Sequence, residues 1–344
     1  MKPLKELVRP NIQALLAARE DSREALPDGA LRLDRGESPY NTPLNRYPDA
    51  TQRELRMGLS RLKGIRPDCL LPLSGTAEAL DLLMRVFCSP GRDNVVCLTP
   101  ARPLVWRTAG VNDAEVRTHA LDEKGTFRAA DVLRMCNDNT KLIILSAPNA
   151  LTGSQPGREE ILALAEAFPG IVVVDEAYAD FSASKSVLYE LGAHNNLAVL
   201  QTFSKAWACA GIRLGVVLAV PSVIRLLEAV SSTVAPSLLT QREAVQMLER
   251  RYDVETWVKH TVEERGKVVR ALRQLPAYEA DFPTEANFVL VRLKDAARIH
   301  SYLRAQGIAT DDCKGTPFYP DYLRITIGLT HENNRLLAAL RQYS

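Results

Sequence analysis

Four short, predominantly apolar segments in the middle of the chain limit what it can fold into. They lie at residues 95–98, 141–145, 171–174 and 198–200. Their apolar residues are consecutive rather than alternating, which is typical of parallel strands that are covered on both faces. Between the second and third segments, residues 157–168 place Ile161, Leu164, Ala165 and Phe168 at helical spacing. Strand–helix–strand repetition of this kind predicts an α/β protein with a mostly parallel central sheet flanked by helices.

The chain of 344 residues exceeds what one ordinary core holds, so a large and a smaller domain are expected. The first 45 residues, in which Pro39 and Pro43 are closely spaced, predict an irregular N-terminal arm. Residues 46–253 are expected to form the large domain, and residues 254–344 a smaller α/β domain to which the arm contributes. The elements predicted for the smaller domain are a long helix at 254–275, strands at 287–291 and 323–327, and helices at 295–306 and from about 331.

Composition narrows the class of protein. The 43 basic and 41 acidic residues are balanced and form no basic block, so no nucleic-acid partner is expected. No apolar run approaches the ~18 residues of a membrane span, and none at the N-terminus has signal length. The six cysteines are scattered, with no C-x-x-C pair and no Cys/His cluster. This pattern favours a reducing cytoplasm and predicts no metal site.

Two reactive side chains follow predicted strands, where ligands of α/β sheets bind. Asp175 ends the segment at 171–174, and a carboxylate there is costly to bury without a partner. Lys205 follows the strand at 198–200 and comes after two hydroxyl residues, Thr202 and Ser204. A lysine that bonds an aldehyde, hydroxyls that bond a phosphate and an acid that pairs with a pyridinium together predict a pyridoxal 5′-phosphate (PLP) site. Taken singly, Lys205 is also compatible with a surface lysine and Asp175 with a loop cap.

Further residues fit the same site. Arg213, eight residues after Lys205, is a candidate phosphate ligand. Gly75, Thr76 and Ala77 open a predicted helix whose amides would bind an anion, although the same pattern suits an ordinary N-cap. Arg324 lies inside an apolar strand and therefore needs an anionic partner, for which a substrate carboxylate would serve. Tyr178, on the turn after Asp175, is placed to bond the 3′-oxygen of PLP.

The motifs extend over nearly the whole chain and resemble those of fold-type-I PLP-dependent aminotransferases, most closely the compact histidinol-phosphate aminotransferases. The matching stretches are Asn-Arg-Tyr-Pro-Asp at 45–49, Ser-Ala-Pro-Asn at 146–149 with Thr-Gly at 152–153, Val-Val-Asp-Glu-Ala-Tyr at 173–178, Gln-Thr-Phe-Ser-Lys-Ala-Trp at 201–207, Ala-Gly-Ile-Arg-Leu-Gly at 210–215, Ala-Asn-Phe at 286–288 and Leu-Arg-Ile-Thr-Ile-Gly at 323–328.

The resemblance implies a role for each candidate residue. Lys205 would be the catalytic lysine that carries PLP, with Asp175 at the ring nitrogen and Tyr178 at the 3′-oxygen. The phosphate would be held by Thr202, Ser204, Arg213 and the amides of Gly75, Thr76 and Ala77. Tyr47 would reach the phosphate from a second subunit, which implies a homodimer with shared active sites. Arg324 would bind the substrate carboxylate.

The activity implied is transamination between histidinol phosphate and 2-oxoglutarate, with glutamate as the other product, in histidine biosynthesis. Several substrate-side positions depart from the family pattern. Ala150 replaces an Asn that bonds the 3′-oxygen, so that Tyr178 would act alone or with Asn149. Arg102 replaces an aromatic residue that stacks on the ring, and either its guanidinium or Trp106 would take that place. Gly36 replaces an Asn near the substrate.

Two more departures concern the substrate itself. Asp311 falls where an arginine would meet the substrate phosphate, and opposite charge there would repel a phosphate. A Pro-Tyr-Asn stretch has become Thr-Val-Ala at 233–235. An alternative is therefore a diverged PLP enzyme that acts on an unphosphorylated amino acid or catalyses another reaction, such as decarboxylation. A further alternative is a non-catalytic PLP-binding or regulatory protein.

Overall fold

The computed structural model describes residues 3–18, 30–232, 235–313, 319 and 321–343. The strands are β1 Leu70–Leu73, β2 Asn94–Thr99, β3 Glu115–Ala120, β4 Thr140–Ser146, β5 Ile171–Asp175, β6 Leu197–Thr202, β7 Gly215–Ala219, β8 Tyr278–Asp281, β9 Phe288–Leu293 and β10 Tyr322–Thr326. The α-helices are α1 Leu4–Leu7, α2 Pro10–Ala18, α3 Arg53–Lys63, α4 Thr76–Phe87, α5 Leu104–Val111, α6 Ala129–Arg134, α7 Arg158–Ala167, α8 Pro221–Val230, α9 Leu238–Glu249, α10 Arg251–Leu272, α11 Ala296–Ala305 and α12 Thr330–Tyr343.

A seven-stranded sheet, ordered β1-β7-β6-β5-β4-β2-β3, forms the centre of the larger part. The pairs from β3 through β2, β4 and β5 to β6 are parallel, whereas β7 runs antiparallel to both β6 and β1. The four predicted strands are β2, β4, β5 and β6, and all four are mutually parallel. The predicted α/β class with a mostly parallel sheet is confirmed.

The consecutive apolar residues of the central strands are explained by burial on both faces. Val172 and Val174 of β5 belong to one apolar cluster, and Ile171 and Val173 belong to the cluster on the opposite face. Successive side chains of a strand point to opposite faces, so an uninterrupted apolar run fills both layers at once. The carboxyl ends of these strands are thereby fixed along one edge of the sheet.

A three-stranded antiparallel sheet, ordered β10-β9-β8, forms the centre of the C-terminal part. Its apolar core also takes in residues of α10, α11 and α12. The predicted strands and helices of this region are confirmed, with bounds that differ by one to three residues from those expected. The division into domains at residues 45 and 253 stays a prediction.

The N-terminal segment differs from the irregular arm that was expected. Residues 4–18 form α1 and α2, and Leu7, Val8 and Ile12 are buried in the apolar cluster that includes α8. The expectation is therefore wrong for these residues, because their apolar side chains pack on the chain itself. Residues 30–52 contain neither helix nor strand. Residues 19–29 of the predicted arm, and Thr233 and Val234 of the departure at 233–235, lie outside the described residues.

Within the described ranges, no helix combines the length and apolar character that crossing a membrane requires.

Candidate active site

A cavity of about 470 Å³ lies at the carboxyl ends of the central strands. Its walls come from the loops after β2, β4, β5 and β6, the start of α4, and the C-terminal part of the chain. The lining residues are Gly75, Thr76, Ala77, Ala101, Arg102, Pro103, Ala150, Leu151, Ala177, Tyr178, Thr202, Ser204, Lys205, Arg213, Asp311, Cys313 and Arg324. Eleven of the predicted site residues are thus brought together in one cavity.

One end of the cavity is built to attract an anion. Helix α4 begins there at Thr76, and Gly75 caps it with a positive φ of 98° and no side-chain hydrogen bond. The helix start therefore presents its amides and its positive dipole end to the cavity. Arg213 lies beside it, in the left-handed region at φ 54°, and its Nη1 donates to the Ala210 carbonyl at 2.9 Å. Its Nη2 lies beside Gly75, 3.2 Å from the position that a Cβ there would take.

Gly215 allows the strand β7 to approach this helix start closely. A Cβ at Gly215 would lie 2.6 Å from both the Gly75 carbonyl carbon and the Thr76 nitrogen. These are backbone atoms that no side-chain rotation can move. Gly215 was part of a matched motif, but its own role could not be identified from the pattern alone.

The two hydroxyls before Lys205 play different parts. Thr202 Oγ1 donates to the Leu214 carbonyl at 3.1 Å and accepts from the Ser204 amide at 3.1 Å. The Thr202 hydroxyl therefore fixes the shape of the loop after β6. Ser204 and Lys205 line the cavity, and Lys205 Nζ lies 5.3 Å from the centre of the Tyr178 ring.

Asp175 ends β5 and lines a smaller cleft that adjoins the cavity. Its Oδ1 accepts from the Ala177 amide at 3.1 Å, and its Oδ2 lies 3.9 Å from Nη1 of Arg102. Burial raises the pKa of Asp175, while the charges of Arg102 and Lys205 and the Ala177 hydrogen bond oppose that rise. A cationic hydrogen-bond donor placed against Oδ2 would stabilise the ionised form further.

Tyr178 and Arg324 connect the two sheets at the opposite wall. Arg324 Nη2 donates to the Tyr178 hydroxyl at 3.0 Å, and the Arg324 guanidinium carbon lies 3.6 Å from the centre of the Phe288 ring. Arg324 Nε is buried and has no hydrogen-bond partner in the described part of the chain. Its guanidinium forms no ion pair with a carboxylate of the described residues, so it is available to an anion in the cavity.

Asp311 lies opposite Arg324, and the two residues exchange backbone hydrogen bonds of 2.8 and 3.1 Å. Their side chains consequently lie on the same side of the strand pair. Asp311 Oδ1 accepts from the Cys313 amide at 3.0 Å. A negative charge therefore borders the cavity beside Arg324, and no feature of the sequence had indicated Cys313 as a lining residue.

Besides Asp175, three predicted site residues lie outside this cavity. Asn149 is 1% exposed, and its side chain bonds the Pro100 carbonyl and the amides of Leu151 and Thr152 at 2.8–3.0 Å. Asn149 therefore shapes the loop after β4. Gly36 and Tyr47 line a separate surface groove together with Leu239.

The structure also distinguishes Arg102 from Trp106, the two residues that could take the place of the aromatic residue after Pro100. Arg102 lines the cavity, whereas Trp106 packs against an apolar cluster of the large sheet and is absent from the cavity wall. In the described residues, no group of three or more His, Cys, Asp or Glu side chains is arranged to hold a metal ion.

Comparison with known proteins gives consistent results. Residues 20–340 match the family model described as aminotransferase class I and II. The histidinol-phosphate aminotransferase of Bacteroides fragilis (strain ATCC 25285) is 42% identical over the full length of both chains. The solved structure of the Clostridium acetobutylicum histidinol-phosphate aminotransferase has a TM-score of 0.80 at 20% identity, covering 87% of this chain and 91% of that chain. The Sinorhizobium meliloti histidinol-phosphate aminotransferase, solved in complex with pyridoxal-5′-phosphate, has a TM-score of 0.76 at 22% identity, covering 86% and 82%.

Proposed function

The chain belongs to the class I and II aminotransferase family, and we propose that it transfers the amino group of histidinol phosphate to 2-oxoglutarate in histidine biosynthesis. The substrate is inferred from the 42% identity, over the full length of both chains, to a histidinol-phosphate aminotransferase. The cavity supports the reaction class, because an anion site and Lys205 line it and the carboxylate of Asp175 lies in the adjoining cleft.

PLP is the cofactor that fits this space. The uncapped start of α4, Ser204 and Arg213 would hold its phosphate, and Asp175 its ring nitrogen. Lys205 would hold its aldehyde carbon. When bound, PLP draws electrons away from the Cα of an amino substrate and so makes the Cα proton easier to remove.

Three side chains of the protein have separate roles in the reaction. Lys205 Nζ is the base that takes the proton from the substrate Cα. Asp175 keeps a proton at the ring nitrogen by bearing the opposite charge. Arg324 binds the anionic end of either substrate, which is a phosphate in histidinol phosphate and a carboxylate in 2-oxoglutarate.

Asp311 is the specific observation that favours a second candidate. Its carboxylate borders the cavity next to Arg324 and would weaken the binding of a phosphate. The second candidate is a PLP enzyme that acts on an unphosphorylated amino acid, by transamination or by decarboxylation.

An amino-donor screen with the PLP-loaded enzyme distinguishes the two. Histidinol phosphate and a panel of unphosphorylated amino acids are each supplied with 2-oxoglutarate, and glutamate and carbon dioxide are both measured. The proposal expects glutamate formation to be fastest with histidinol phosphate and carbon dioxide release to be negligible. Undetectable turnover of histidinol phosphate together with rapid turnover of another donor would overturn it. The variant Asp311→Arg should improve the handling of a phosphorylated donor if the charge argument is correct.

We also propose that the active enzyme is a homodimer with shared sites. Tyr47 is 55% exposed and lines a groove apart from its own cavity, with the exposed apolar side chains of Leu44 and Leu239 beside it. A second subunit would cover this groove and receive Tyr47 at its cofactor phosphate. Light scattering coupled to gel filtration should give about twice the 38.1 kDa of one chain. A cytoplasmic location stays a prediction.

A further inference from the structure

Arg102 and Asp175 form an ion pair that leaves the carboxylate open to a second partner. Nη1 of Arg102 lies 3.9 Å from Asp175 Oδ2, which is longer than an ordinary hydrogen bond. The guanidinium therefore acts on the charge of the carboxylate without occupying a lone pair of Oδ2. The other oxygen, Oδ1, is engaged by the Ala177 amide at 3.1 Å. Among the described residues, no hydrogen-bond donor reaches Oδ2.

Arg102 lies between the main cavity and the cleft that contains Asp175. It lines the main cavity and also a smaller adjoining cleft in which Asp175, Thr76 and Ser146 lie. Its side chain is about one-third exposed, whereas that of Asp175 is 17% exposed. The pair thus joins a charge that solvent stabilises to one that burial destabilises.

The surroundings of Asp175 contain few other charges. Lys205, after β6, is the other cation that acts on it, more weakly than Arg102. The polar side chains that helix α4 and strand β4 contribute to the cleft are the uncharged hydroxyls of Thr76 and Ser146. Cys97 of β2 also borders the cleft, and burial raises the pKa of its thiol to about 12, so it stays neutral.

Glu176, although next in sequence, is engaged elsewhere. Its carboxylate accepts hydrogen bonds from the Gln201 side chain at 2.9 Å, the Val187 amide at 2.9 Å and the Ser186 hydroxyl at 2.5 Å. Burial raises the pKa of Asp175, and Arg102 is the strongest influence that lowers it. Without the guanidinium, the carboxyl group would hold its proton to higher pH.

We propose that Arg102 is a positioning residue that keeps Asp175 ionised before the cofactor binds, and so sets the lower pH limit of cofactor uptake. The inference rests on the proposed placement of PLP in this cavity. A protonated carboxyl group cannot balance the charge of a pyridinium nitrogen, so cofactor affinity must fall as Asp175 takes up its proton. Because Arg102 lowers the pH at which Asp175 is protonated, it extends cofactor binding to lower pH.

Pyridoxamine 5′-phosphate, the amine form of the cofactor, tests this without a covalent bond to Lys205. Its affinity for the full-length apoenzyme is measured by calorimetry from about pH 5 to pH 8.5, for the parent chain and for Arg102→Gln, Arg102→Met and Arg102→Lys. Titration of the ligand's own phosphate affects all of these chains alike and cancels in the comparison. Arg107→Gln, on an exposed position of α5, is the matched control.

The expected result is that the acid limb of the affinity profile moves to higher pH in both uncharged variants, because the opposite charge beside Asp175 is lost, and that Arg102→Lys restores most of the shift. Asp175→Asn should bind weakly with little pH dependence on this limb. Uniform weakening of Arg102→Gln and Arg102→Met at every pH, with an unchanged profile, would overturn the proposal, because loss of a packing contact alone produces that result. Failure of the parent chain to bind the ligand at any pH would overturn the placement of PLP as well.

Discussion

Arg324 is held in the cavity by aromatic groups rather than by an acid. The Phe288 ring supports its guanidinium from below, and the Tyr178 hydroxyl accepts one of its donors. Its buried Nε has no partner in the described part of the chain, and such a group costs about 1–3 kcal/mol until it is satisfied. An anionic substrate would satisfy it. The free-energy gain would then appear as substrate affinity.

Replacing Arg324 with Gln should therefore impair substrate binding and leave the cofactor in place. Losing a charge-assisted hydrogen bond of about 1.5–3 kcal/mol predicts a rise in KM of roughly 10- to 100-fold for the amino donor and for 2-oxoglutarate. Steady-state kinetics measure this, and the absorbance of bound PLP should not change. Arg292→Gln is the control, since Arg292 pairs with Glu279 on the same small sheet and lies outside the cavity wall. Unchanged KM values would remove Arg324 from the substrate site.

The sequence identifies individual site residues better than it identifies the contacts between them. The burial cost of Asp175 and the hydroxyls before Lys205 pointed to the site because both follow buried strands. The bond between Tyr178 and Arg324 joins residues 146 positions apart. The ion pair between Arg102 and Asp175 joins the loop after β2 to the end of β5. Such pairs depend on how the strands are ordered in the sheet, which the local pattern does not contain.

Among the elements, the contact between β7 and the start of α4 shapes the end of the cavity where the cofactor phosphate is proposed to bind. Gly215→Ala would put a Cβ 2.6 Å from the backbone of Gly75 and Thr76. Overpacking of this kind costs about 1–3 kcal/mol and should push the amides of α4 out of position. We expect PLP affinity to fall at least about tenfold, by the conversion of 1.4 kcal/mol per tenfold change.

Titration of the apoenzyme with PLP, followed by absorbance, measures this effect. Gly192→Ala is the matched control, because a Cβ there meets no atom within 4 Å. Equal PLP affinity in the two variants would show that β7 does not position the start of α4.

Helix α2 provides a second prediction among the elements. Ile12 is 6% exposed and packs in the cluster that includes α8, whereas Leu15 of the same helix is 47% exposed. Ile12→Ala should lower the free energy of unfolding by about 2–4 kcal/mol, and Leu15→Ala by much less. Urea unfolding followed by circular dichroism makes the comparison. Similar small effects of both substitutions would mean that this segment does not pack as part of the core.

Four strands, β1, β3, β7 and β8, were not predicted from sequence patterns, and β3 and β1 have a plain physical reason. β3 is an edge strand of polar composition, from Glu115 to Ala120, so it shows no apolar run. β1 is only four residues long and contains Pro72. β7 is wholly buried but runs antiparallel to β6. Burial on both faces explains an apolar run, but it does not determine the direction of a strand.

In the molecule as a whole, hydrogen bonds between the larger part and the C-terminal part maintain the shape of the cavity. The Glu285 amide donates to the Gly153 carbonyl at 2.8 Å, and Arg265 Nη1 donates to the carbonyls of Ala286 at 2.7 Å and Phe181 at 3.3 Å. These bonds join the loops after β4 and β5 to the segment before β9. They hold the wall that carries Arg324 against the wall that carries Lys205.

The central claim is that Lys205 holds PLP in this cavity, and a chemical label tests it most directly. The PLP-loaded enzyme is reduced with borohydride, which makes the lysine–cofactor bond permanent, and is then digested and analysed by mass spectrometry. The account predicts one pyridoxyl-phosphate group per chain, on the peptide that contains Lys205, and no stable label in Lys205→Ala. A label on another lysine of the parent enzyme, or none at all, would contradict it.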